Sequence, residues 1–105
     1  MSKIAFLCSG QGAQRVGMAI DFAERFEAAA ELLELAGRAA HADIRALIEQ
    51  GPLEELSRTQ NTQPALVAVS LAIANELEER GVHPDCVAGF SLGEIPALAF
   101  AGAYD

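Results

Sequence analysis

The hydrophobic positions change period several times along the chain. Lys3 to Ser9, KIAFLCS, is a continuous apolar run of strand length that meets glycine at once, as a buried strand of a parallel sheet does. The glycine-rich stretch GQGAQRVG follows, with glycines at 10, 12 and 17 that permit positive φ or close approach to a ligand. From about Met18 to Ala40 the apolar residues Phe22, Phe26, Ala29, Leu33 and Ala36 recur at helical intervals, and Glu24, Glu31 and Glu34 fall on the solvent side. A shorter helical piece, Ile44 to Glu49, ends at Gly51, and Pro52 opens a further turn carrying Leu53 and Leu56.

Thr62 is placed to cap the next helix, with Pro64 in its first turn. The body of that helix, ALVAVSLAIANELEE, is apolar nearly all round at first and amphipathic later, so one end is expected to be buried. Gly81 stops it. Asp85 to Phe90 reads as a second short strand leading to Ser91, after which a closing helix runs up to about Ala101. Pro96 would remove a ladder bond from a helix beginning right after Ser91, whereas a start nearer Glu94 avoids the conflict. Strand, helices, strand, helix is the order of an α/β unit with a parallel sheet, here about two strands and several helices. No repeat or linker divides residues 1–105, which are read as one unit.

Composition narrows the partners. Half the residues are hydrophobic (51%) and 21% are charged, a globular balance. The net charge is −8, and the seven Lys and Arg are scattered, so there is no basic stripe for nucleic acid or for an anionic membrane surface. The first apolar run is too short for a signal peptide, and the longest, Pro64 to Ala74, is too short to span a bilayer. Cys8 and Cys86 lack metal or redox spacing and are expected as buried free thiols, which fits a cytoplasmic protein. No metal site is expected.

The chemistry gathers at GFSLG, residues 89–93. A G-x-S-x-G between an apolar strand and a helix is the arrangement of a nucleophile elbow, in which small residues two places either side of a serine permit a strained turn that lifts its oxygen above the sheet edge. A serine in an ordinary glycine-rich bend is the alternative. GQGAQ fits neither of the usual glycine-rich nucleotide-binding patterns.

Three stretches, SGQGAQRVGM at 9–18, TQNTQPAL at 59–66 and GFSLGEIPALAFAGAYD at 89–105, together resemble the malonyl-CoA:acyl carrier protein transacylases and the related acyltransferase domains of fatty-acid and polyketide synthases. The resemblance implies an α/β-hydrolase-like acyltransferase core, of which this chain is an incomplete N-terminal piece. It implies that Ser91 accepts the malonyl group from malonyl-CoA and passes it to the phosphopantetheine thiol of an acyl carrier protein, with no bound cofactor. It further implies an oxyanion hole from the backbone N–H groups of Gln11 and Leu92, and an acyl pocket lined by Gln63. The family pattern has histidine before the nucleophile and tyrosine after GE; here stand Phe90 and Ile95, which bears on acyl preference.

A serine hydroxyl needs a base within hydrogen-bond reach. His41 and His83 read as solvated loop residues, and the resemblance places the base histidine and a carboxylate-binding arginine beyond Asp105. The 105-residue chain is therefore expected to have little or no transacylase activity alone, and to meet the remainder of its own domain or a second copy. Two other readings stay open: a catalytically silent binding module, favoured by the missing base, and a serine esterase, disfavoured because only one clear strand precedes the elbow.

Overall fold

The computed structural model describes residues 3–102. Two strands, β1 (Ala5–Cys8) and β2 (Cys86–Gly89), pair in parallel in the register Ala5↔Cys86 to Cys8↔Gly89. The connection between them carries five helices: α1 (Ile20–Arg25), α2 (Glu27–Ala40), α3 (Ile44–Gln50), α4 (Leu53–Leu56) and α5 (Thr59–Glu79). A single 3₁₀ turn, Ser91–Gly93, then leads into α6 (Glu94–Phe100). The α/β order read from the sequence holds, and Pro96 is the third residue of a helix that starts at Glu94, where the absent N–H breaks no ladder bond. The last three residues of the third motif, 103–105, lie outside the described residues.

The core is helical. Leu33, Ile44, Ile48 and Leu56 pack with Ala23, Ala36, Ala65 and Ala68, and the alanines let α2 and α5 approach closely. Each isoleucine buried there stabilises the fold by about 1.5–3 kcal/mol. Asp43 caps α3, its Oδ1 accepting from the Ala46 N–H at 3.0 Å.

Four expectations are corrected. The single helix expected over Met18–Ala40 is two, divided where Phe26 takes an extended conformation (φ −123°, ψ 115°); the Phe26 ring lies 4.9 Å from that of Phe22, with the Arg80 guanidinium 5.0 Å above it. The cap of α5 is Arg58, so Thr62 sits fully buried inside the helix and Pro64 is its sixth residue. The strands are covered on one face alone. Phe6, Cys8, Val87 and Gly89 share the half-buried face, where the Phe6 ring meets that of Phe100 on α6 at 5.5 Å; Ala5, Leu7, Cys86 and Ala88 are exposed. Cys86 is thus an exposed thiol and Cys8 a half-buried one.

Pairing extends beyond the strands at both ends. The Asp85 N–H donates to the Ile4 carbonyl, and the Ile4 N–H donates to the Asp85 carboxylate, each at 2.7 Å. At the other end the Phe90 N–H donates to the Cys8 carbonyl at 3.1 Å. That last bond carries the chain from β1 and β2 directly into the two glycine-rich turns.

Candidate active site

The two turns that follow β1 and β2 touch. After Gly89 the chain passes Phe90 and enters the left-handed region at Ser91, with φ 55°. For a residue with a Cβ this conformation costs about 1 kcal/mol and persists where the surroundings impose it. Here they do: the Gly93 N–H closes the turn onto the Phe90 carbonyl at 2.9 Å, and Phe90 is itself tied to Cys8. A Cβ on Gly89 would run into the carbonyl of Gly93, and one on Gly93 into the carbonyl of Cys8. The small residues two places either side of the serine are therefore demanded by space.

The glycine turn after β1 abuts this bend. A Cβ on Gly10 would lie 2.5 Å from the Phe90 carbonyl oxygen and 3.4 Å from the Ser91 Cβ. Gly10 is buried, and its carbonyl accepts from the Ala13 N–H at 3.2 Å, closing a four-residue turn. Gln11, within that turn, is exposed, as is Ser91, while Leu92 is half-buried. The side chain of Gln11 donates to Thr59 Oγ1 at 3.3 Å, at the start of α5. α5 also packs against the turn of Ser91. Gln63 is exposed on α5, and among the described residues no hydrogen bond joins it to Ser91, Gln11 or Leu92.

No base reaches the serine among the described residues. His41, at the left-handed end of α2, and His83, 3.8 Å from Glu78, are both exposed, and neither bonds to Ser91. Partial burial at the end of β1 raises the Cys8 thiol above its ordinary range, which lowers the share present as the nucleophilic thiolate. Among the described residues no cluster of His, Cys, Asp or Glu is placed to hold a metal, and no helix is long and apolar enough to cross a membrane. Sequence reasoning missed Gln14, Ser57 and Thr59, polar side chains joining the first glycine turn to the α4–α5 junction. Their one signal was the second glutamine of GQGAQ.

Residues 5–104 match the model of the acyl transferase domain. The chain belongs to the acyl transferase domain family. Among its relatives, the malonyl CoA-acyl carrier protein transacylase of Bacillus subtilis (strain 168) is 46% identical over 103 residues, 98% of this chain and 32% of that protein. Among solved structures, an acyl carrier protein S-malonyltransferase from Vibrio cholerae O1 superposes with a TM-score of 0.89 at 42% identity, covering 96% of this chain and 33% of that one. A malonyl-transacylase in complex with a type II polyketide synthase acyl-carrier protein superposes with a TM-score of 0.88 at 43% identity, over 96% and 33%. The chain thus spans about a third of the length of the family members it matches. Its strands and helices are a part of the family's α/β acyltransferase fold.

Proposed function

We propose that this chain carries the acyl-accepting serine of a malonyl-CoA:acyl carrier protein transacylase. In the first half-reaction the Ser91 oxygen attacks the thioester carbonyl of malonyl-CoA. The new C–O bond replaces the C–S bond, the serine proton leaves to a base, and coenzyme A departs as the thiol. In the second, the phosphopantetheine thiol of an acyl carrier protein attacks the serine ester and regenerates the hydroxyl. The backbone N–H groups of Gln11 and Leu92 donate to the oxyanion formed in each step, and Gln63 borders the acyl group.

What supports this reading most is the contact between the two glycine-rich turns. Gly10 stands against Phe90 and Ser91 with no room for a side chain, and Gln11, whose amide the reading assigns to the oxyanion, is the next residue of the turn that abuts a serine held at positive φ. A strained serine and a bordering amide supply the nucleophile and the oxyanion donor of acyl transfer, to which a base that takes the serine proton must be added.

The test is incubation of the full chain with malonyl-CoA, followed by intact-mass measurement and peptide mapping. A malonyl ester on Ser91, absent in Ser91→Ala and stable, with little or no passage to holo acyl carrier protein, is the expected result. It should form slowly, since no described residue stands as base beside Ser91. No adduct would replace this reading with that of a silent binding module, and turnover of simple esters with that of an esterase.

A further inference from the structure

Gln14 lies in the loop after the first glycine turn and makes two hydrogen bonds in opposite directions. Its Oε1 accepts from the Gly12 N–H at 2.8 Å, and its Nε2 donates to Ser57 Oγ at 3.1 Å, between α4 and α5. Gln14 is half-buried, so the second bond is partly shielded from water.

The consequence follows from peptide planarity. A trans peptide unit directs its C=O and N–H to opposite sides. The unit joining Gly10 to Gln11 has its carbonyl turned into the turn, toward the Ala13 N–H, so the Gln11 N–H is directed out of the turn; among the described residues no acceptor pairs with it. The next unit, joining Gln11 to Gly12, has no backbone bond to hold its N–H, and glycine at 12 (φ 113°) offers little resistance to rotation. The side chain of Gln14 supplies the missing restraint and fastens it to Ser57.

From this we infer that Gln14 is a positioning residue: by holding the Gly12 N–H against a scaffold anchored at Ser57, it fixes the orientation of the Gln11 amide toward the bend at Ser91. The inference rests on the reading of Ser91 as acyl acceptor. It adds a residue that touches neither substrate nor serine and acts through the backbone, in the way that donors aimed in advance spare reorganisation during reaction.

The test compares Gln14→Met, which keeps volume without polar atoms, and Gln14→Glu, whose carboxylate accepts from both the Gly12 N–H and the Ser57 hydroxyl, with the parent chain. Hydrogen exchange at Gly12, read by NMR, should quicken about fivefold in Gln14→Met and return to the parent rate in Gln14→Glu, with a fall in melting temperature of only a few degrees in Gln14→Met. The saturating rate of malonyl ester formation on Ser91 should fall by a similar factor in Gln14→Met, at an unchanged half-saturating concentration of malonyl-CoA. Unaltered Gly12 exchange in Gln14→Met overturns the inference, whatever the acylation rate. A parent chain that takes no malonyl at Ser91 instead refutes the acyl-acceptor reading, a failure seen before any variant is made.

Discussion

At the scale of single residues, Ser91 sets stability against chemistry. Its φ of 55° is unfavourable for any side chain, whereas glycine adopts it freely. Ser91→Gly and Ser91→Ala both remove the hydroxyl, but only the first removes the strain. Ser91→Gly should be the more stable of the two by about 1 kcal/mol in urea unfolding, the left-handed penalty on alanine outweighing the chain entropy glycine adds to the unfolded state. Ser91→Ala proving the more stable of the two, by the chain entropy that glycine adds to the unfolded state, would mean that the bend imposes no strain and that the hydroxyl is displayed by an ordinary turn. The glycine pair around Ser91 was legible in the sequence because the motif encodes space as well as conformation: positions 89 and 93 face backbone carbonyls that leave no volume for a Cβ. Gln14 was not legible. Nothing in its spacing from Gly12 reveals that its amide turns back to one backbone N–H while reaching Ser57, forty-three residues along the chain.

At the scale of elements, the errors of the sequence reading share a cause: local signals that tertiary contacts override. Phe22, Phe26, Ala29, Leu33 and Ala36 keep helical phase across Phe26, so periodicity alone could not find the break there, which accompanies the packing of the Phe26 ring at a tilt against Phe22 and under Arg80. Thr62 has the chemistry of a cap, but α5 begins earlier, where Thr59 meets Gln11 and the Asn61 amide donates to the Glu55 carbonyl at 2.9 Å. This start leaves the Thr62 hydroxyl buried with no partner among the described residues and places Pro64 where its ring replaces an N–H that would bond the Gln60 carbonyl. Pro64→Ala should therefore stabilise the chain by about 1–3 kcal/mol, read as a higher melting temperature. A helix capped at Thr62 predicts the opposite, because proline in a first turn is harmless and its loss would only loosen the unfolded chain. The sign of the shift decides between the two starts.

At the scale of the whole molecule, the apolar residues divide unequally between helices and sheet. Every residue of the buried cluster around Ile44, Ile48 and Leu56 lies in a helix, while the four-residue strands leave Leu7 80% exposed and border an open groove of about 390 Å³ between β1 and α5, lined in part by Leu66, Val69, Ile73 and Leu77. The apolar runs at Lys3–Ser9 and Asp85–Phe90 were legible as strands because their length and flanking glycines fixed the type of element. Their burial was not, since burial depends on what lies on each face, and α6 covers one face alone. Stability should divide along the same line, because opening free energy follows local burial. Amides of the β1–β2 ladder should exchange with solvent deuterium about tenfold or more faster than those of Ala65–Ala74 in α5, the factor given by about 1.4 kcal/mol of opening energy. The bend at Ser91 hangs from that ladder through the Phe90 to Cys8 bond, so the same opening releases the serine from Gly10. Equal protection in ladder and helix would show instead that sheet and core open as one unit, and that the geometry around Ser91 is held as firmly as the helical core itself.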